Sequence, residues 1–313
     1  MPSQFNTVGF IGAGRTATAL ALALTDAGYQ VAAVASRSEA SAQALTGKIP
    51  GCQAVVHLAD LLQRCDAVFL TVPDDAIASV AAALPWRAGQ GAIHCSGALS
   101  LDVLAPIRRR GALTGALHPL QTFANRDQRK HSLAGVTFAI EGEGTLGPWL
   151  KEVVLRLGGN PIQLSPQDRP LYHAAAVMSC GYVATLLESA CALWEAMGFS
   201  REEAVKALLP LARGTLDNVE SQGARNAATG PIMRGDAGTV RSHLAALSVR
   251  VPEVIPLYCQ AGLAMLTLAQ ERRTIGTEQA EDMRQLLRSY LAQASNDVSG
   301  LETPEVVVSS ETD

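Results

Sequence analysis

The chain has 313 residues, 48% of them apolar and 17% charged, with a net charge of −4 and a pI near 5.9. That length suits two domains of ordinary size, and that apolar share fills a large core. The absence of a basic stripe argues against nucleic acid as a partner. The six cysteines, at 52, 65, 95, 180, 191 and 259, include no C-x-x-C pair. They fit reduced thiols in a cytoplasmic protein better than a disulfide frame or a zinc site, and no metal is expected.

Met1 to Thr7 is neither a signal peptide nor an anchor. The apolar run Val8 to Ile11 predicts a buried strand. It enters Gly12-Ala13-Gly14-Arg15-Thr16-Ala17 and then a helix from Thr18 towards Gly28. Strand, glycine turn and helix in that order form a dinucleotide-binding fingerprint. Gly12 permits the sharp turn, and Gly14 lets a pyrophosphate approach the backbone. Ala17 packs helix on strand, and the helix N-terminus offers free N–H groups. Gly12, Ala13, Gly14, Arg15 and Thr16 are therefore the candidate pyrophosphate turn.

The second strand, Gln30 to Ala35, runs into Ser36, Arg37 and Ser38. A carboxylate at this distance from the glycines hydrogen-bonds the ribose of NAD, and none occurs before Glu39. Two hydroxyls flanking an arginine suit the 2′-phosphate of NADP instead. A short strand follows near Ala54 to Val56, then a helix over His57 to Arg64 and a strand over Asp66 to Val72. Thr71, Val72 and Pro73 at that strand's carboxyl end are placed to line the nucleotide. Asp74 reads best as the cap of the next helix, which runs through Leu84.

Strands over Ala92 to His94 and Leu113 to His118 end in two residues with chemistry, Ser96 (followed by Gly97) and His118. Their hydroxyl and imidazole suit binding a substrate oxygen and moving its proton beside a nicotinamide. Alternatively, His118 before Pro119 only fixes a turn. Ser96 and Gly97 are also assigned to the cofactor. A strand over Val136 to Glu141, a helix over Leu146 to Leu157 and a strand over Pro161 to Leu164 complete the sheet region.

Beyond Ser165 helical periodicity takes over: Asp168–Met197, Arg201–Gly214, Asp236–Val249, Glu253–Gln270 and Glu278–Gln293. Glu188 and Glu195 interrupt the apolar run Ala174–Phe199, which reads as a buried helix and not a membrane span. Ser200 to Glu203 is a capping box. His173 is either a ligand group or a core or dimer residue. Arg234, in Gly230-Pro231-Ile232-Met233-Arg234-Gly235-Asp236, either clamps a substrate carboxylate or holds Asp236, itself placed as a helix cap. His243 reads as structural. The expected organisation is α/β: a doubly wound Rossmann domain over 1–164, an all-helical substrate and dimerisation domain over 165–294, and a disordered tail over 295–313.

Together these landmarks resemble the Rossmann-like oxidoreductases of the 6-phosphogluconate dehydrogenase and pyrroline-5-carboxylate reductase superfamily. Within it, the chain is similar to a ketopantoate-reductase-like branch with a C-terminal helical domain of unknown function. The matching motifs include His94-Cys95-Ser96-Gly97-Ala98, Leu117-His118-Pro119-Leu120-Gln121-Thr122-Phe123, Tyr172-His173-Ala174 and Gly230 to Asp236. The resemblance implies NADP binding, a homodimer through the helical domain, and reduction of a small carbonyl or imine. Ser96 with His118-Pro119 is also similar to the serine and His-Pro motif of prephenate dehydrogenases, where both bind the reacting hydroxyl.

One departure stands out. Relatives carry an asparagine where Gly181 aligns, and related dehydrogenases use a lysine on this helix, near whose start Arg169 stands. An arginine stays charged and cannot be the general acid. Three functions fit: an NADPH-dependent reductase of a small, acidic carbonyl compound such as a 2-keto acid; a cyclic imine reductase; or a non-catalytic NADP-binding sensor. In the first, Ser96, His118, His173 and Arg234 are the catalytic candidates.

Overall fold

A computed structural model describes residues 4–123 and 133–299, with side chains to residue 294. Two compact units divide the chain, Met1–Cys180 and Gly181 onward. The break falls after a helix that periodicity placed in the second domain.

In the first unit eight strands form one sheet in the order β3-β2-β1-β4-β5-β6-β7-β8. They are β1 (Thr7–Ile11), β2 (Gln30–Ala35), β3 (Gln53–Ala54), β4 (Ala67–Leu70), β5 (Gly91–His94), β6 (Leu113–Pro119), β7 (Thr137–Gly142) and β8 (Asn160–Gln163). All neighbours pair in parallel except β6 with β7. Between them run α1 (Arg15–Asp26), α2 (Glu39–Thr46), α3 (Leu58–Arg64), α4 (Asp74–Ala82), α5 (Ala105–Arg108), α6 (Leu146–Arg156) and finally α7 (Arg169–Ser179). Strand β4 is buried at every position, as is β5, because helices cover both faces of a parallel sheet. Two apolar clusters result. One joins Phe10, Phe69 and Trp149, and the other Leu61, Leu70, Ile77 and Leu104. The strand order reverses between β1 and β4, which opens a crevice at their carboxyl ends.

The second unit holds α8 (Gly181–Ala196), α9 (Arg201–Gln222), α10 (Ala224–Ala227), α11 (Ala237–Arg250), α12 (Ile255–Glu271) and α13 (Thr277–Ser299). Its core gathers Val240, Leu244, Cys259, Leu266, Met283 and Leu287 from α11, α12 and α13. The capping box forms at Ser200, whose hydroxyl accepts from Glu203 N–H while the Glu203 carboxylate accepts from Ser200 N–H.

Several expectations are corrected here. The single helix expected over Asp168–Met197 is two, because the chain breaks at Cys180 (φ −119°, ψ −74°). Nor is it buried: only Cys191 in α8 is, while Tyr182 and Leu186 are exposed. Pro166–Ala196 is long and apolar enough to cross a membrane by length and composition. Ion pairs nonetheless anchor it, Arg169 to Glu141 and Glu188 and Glu195 to Arg201. Helix α9 passes through Gly214 to Gln222, since one interior glycine costs only about 1 kcal/mol. Helix α13 continues to Ser299, five residues into the expected tail. The remainder of that tail, 300–313, lies outside the described residues.

Candidate active site

Strand β1 ends in a turn that only glycine can make. Gly12 has φ +108°, and a Cβ there would lie 2.5 Å from the Thr71 carbonyl oxygen. Hydrogen bonds pin this turn to both neighbouring strands: Gly12 N–H donates to the Ala35 carbonyl (2.8 Å), and Thr71 N–H to that of Ile11 (2.8 Å). Gly14 precedes α1 without any side-chain cap, and a Cβ on it would meet nothing within 4 Å. The first N–H groups of α1 therefore face open space with the positive end of the helix dipole.

A cavity of about 480 Å³ fills that space, lined by Gly12, Ala13 and Gly14, by Ser36, Arg37 and Ser38, and by Thr71, Val72 and Pro73. Its shape and lining fit a dinucleotide. Among the described residues Arg37 has no ion-pair or hydrogen-bond partner, while the Ser38 hydroxyl caps α2 by accepting from Ser41 N–H (3.2 Å). Arg15 and Thr16 open α1 and are not part of this lining; nor are Ser96 and Gly97, past the end of β5. Sequence reasoning missed Ser41, Leu58 and Ala76, which also line it. Their helices reach the cleft through tertiary packing, which no local pattern reports.

A second group gathers at the carboxyl ends of β5 and β6 against the start of α7. His118 Nδ1 lies 2.8 Å from the Tyr172 hydroxyl. The His118 and His173 rings stand edge to face with centroids 6.3 Å apart. Gly97 sits between them: a Cβ there would be 2.8 Å from His118 Nε2 and 3.0 Å from His173 Cδ2. Burial, helped by His173 and Arg169, brings His118 down to about 4, with Asp74 acting weakly in the opposite sense. Burial pushes Tyr172 up to about 12 against the pull of Arg169. Both are neutral near pH 7. The structure thus brings His118 and His173 together, and adds Tyr172, which sequence reasoning quoted only as a motif neighbour.

Ser96 is more committed than expected. Its hydroxyl donates to the Asp74 carboxylate (2.6 Å) and its oxygen accepts from Ala98 and Leu99 N–H. The expected cap at Asp74 is corrected accordingly. Pro73 holds the N-cap position of α4, no side-chain cap bond forms, and the Asp74 carboxylate turns to Ser96.

Beneath this group Arg169 is fully buried and paired with Glu141, Nε and Nη2 donating to one carboxylate oxygen at 3.1 and 2.9 Å. Arg169 is thereby a structural anchor of α7. His94, the last residue of β5, is also fully buried. Burial, then Arg169 and His118, lowers it to about 3, so it is a neutral ring.

In the second unit, Arg234 ends a 3-10 turn (Ile232–Arg234) before Gly235, whose φ is +69°. Asp236 caps α11 as expected, accepting from Thr239 N–H (3.0 Å). That cap does not depend on Arg234. His243 pairs with the Tyr258 hydroxyl at 2.9 Å. Among the described residues no three His, Cys, Asp or Glu side chains are grouped to hold a metal ion.

The glycine turn, the strand order and the crevice define a Rossmann-like protein, and the Rossmann-like domain model matches residues 2–119. More particularly, the chain joins that domain to a domain of unknown function, DUF2520, matched over residues 136–265. No curated protein matches the chain. Among solved structures, one from Bacteroides fragilis described as a "putative NADP oxidoreductase" is 24% identical, with TM-score 0.68 over 92% of this chain and 99% of that one. A protein of Thermotoga maritima is 22% identical, with TM-score 0.68 over 84% of this chain and 99% of its own. The 1-pyrroline-5-carboxylate reductase of Streptococcus pyogenes is 17% identical, with TM-score 0.55 over 91% and 98%. At these identities the likeness is one of fold.

Proposed function

We propose that this chain binds NADP(H) in the cleft at the carboxyl ends of β1, β2 and β4, and uses it to reduce a small C=N or C=O compound. The carrying observation is that one compact unit holds both the dinucleotide cleft and the Tyr172–His118–His173 group. Gly12 to Gly14 and the start of α1 receive the pyrophosphate, and Arg37 takes the 2′-phosphate. Bound NADPH supplies the hydride. With Tyr172 donating to Nδ1, His118 carries its one proton on Nε2, ready for a substrate atom lodged beside Gly97. The solved relatives support this reading: besides the Streptococcus enzyme they include a reductive aminase from Aspergillus terreus in complex with NADPH.

Between the substrate classes, Asp74 favours the imine. Its carboxylate lies on Ser96 and acts on His118, while Glu141 already neutralises the buried Arg169. Negative charge beside this hydrogen-bond donor stabilises a cationic iminium and opposes an anionic 2-keto acid. A homodimer through the helical unit is part of the proposal, because α8 exposes Tyr182 and Leu186 and α9 exposes Leu211 and Leu216.

The test combines binding and turnover. NADPH should bind at least tenfold tighter than NADH, Arg37→Ala should erase that gap, and cyclic imines should consume NADPH faster than 2-keto acids. His118→Ala should abolish turnover and leave NADPH affinity intact. Equal affinity for the two nucleotides overturns the cofactor assignment, and unchanged turnover in His118→Ala overturns the mechanism.

A further inference from the structure

The helical unit contains a cavity of its own, about 470 Å³, as large as the nucleotide cleft. It lies where the C-terminal turns of α8 meet α11 and α12. Leu193, Trp194, Met197, Leu208, Leu247 and Val251 supply an apolar wall. Trp194 is a flat face braced by Phe199, with ring centroids 4.9 Å apart. That volume and lining suit a small organic molecule.

Polar groups border this wall. His243 Nδ1 and the Tyr258 hydroxyl pair at 2.9 Å. Arg250 also lines the cavity, its guanidinium donating to the Ala196 carbonyl at the end of α8. That bond uses one of five N–H donors. The contrast with Arg201 is informative, since Arg201 engages both Glu188 and Glu195 on the same helix. Those pairs use the acidic side chains of that stretch, and Arg250 has no carboxylate within ion-pair distance among the described residues. A cation without a counter-ion beside an apolar wall is complementary to a carboxylate with an apolar body.

We infer that the helical unit binds a small monocarboxylate with a ring-sized apolar body, its carboxylate on Arg250 and its ring against Trp194. This site belongs to the second unit alone and stands whether or not the redox proposal does.

The experiment uses the full chain and 3-phenylpropionate, with 3-phenylpropanol as the uncharged control. Trp194 reports binding by fluorescence, because the other two tryptophans, Trp86 and Trp149, are buried in the first unit. The carboxylate should bind at least tenfold tighter than the alcohol, and Arg250→Gln should bring the two together. Ala246→Phe, which fills the cavity from an exposed position, should exclude both probes while circular dichroism stays unchanged. Equal binding of acid and alcohol to the unaltered chain overturns the proposal, as does an acid affinity unmoved by Arg250→Gln. It is equally overturned if neither probe moves Trp194 emission while diluting the oligomer does, since a second copy then covers the cavity.

Discussion

The Tyr172 hydroxyl stands 2.8 Å from His118 Nδ1, so a residue on α7 holds the imidazole ring of a residue on β6. The pairing crosses 54 positions of sequence and joins the first turn of a helix to the far end of a strand. Tyr172 is a positioning residue in the proposed reaction. Tyr172→Phe should lower kcat by about tenfold, less than the roughly hundredfold or more that a proton-transfer group itself contributes, and leave NADPH affinity alone. A pH–rate profile whose acid limb shifts in the variant checks the point, because a purely structural role would not move it.

Two neutral histidines make stability depend on pH. His94 is lowered to about 3 and His118 to about 4, both from 6.5. Below pH 6.5 the unfolded chain takes up protons that the folded chain refuses, so stability falls with pH. Their contribution is complete above about pH 6.5 and is lost between there and pH 3. Thermal melts from pH 7 to 4 should show a falling Tm, and His94→Gln should flatten the slope.

The buried ion pair should respond asymmetrically. Arg169 is fully buried, whereas the Glu141 side chain keeps 22% exposure. Glu141→Gln strands the guanidinium without a counter-charge and should cost about 3 kcal/mol. Arg169→Met leaves a carboxylate that water still reaches, and should cost less. Urea unfolding of both variants gives the comparison, and an equal or reversed order would refute the argument.

Gly97 has its own test. A methyl group there meets His118 Nε2 at 2.8 Å, closer than real Cβ contacts allow, and His173 Cδ2 at 3.0 Å, tighter than most of them. Gly97→Ala should push the two rings apart and reduce turnover by more than tenfold in the proposed reaction. Dinucleotide binding should persist, since Gly97 does not line the cleft. Calorimetric titration with NADPH beside a rate assay separates the two effects.

The sequence by itself determined the nucleotide half of this protein. Glycine spacing, the apolar strand before it and the Ser36-Arg37-Ser38 turn are local features, and each falls on the cleft because β1, β2 and β4 present consecutive carboxyl ends. It likewise determined the caps at Ser200 and Asp236, which depend on residues within one helical turn. Only the tertiary structure decided the rest. That Asp74 serves Ser96 instead of capping α4, that Arg169 disappears beneath the site to meet Glu141, and that Tyr172 governs His118 all follow from contacts between 22 and 54 positions apart. A helix period describes which residues share a face, not what that face will meet. For the same reason α8, whose apolar run promised burial, buries only Cys191.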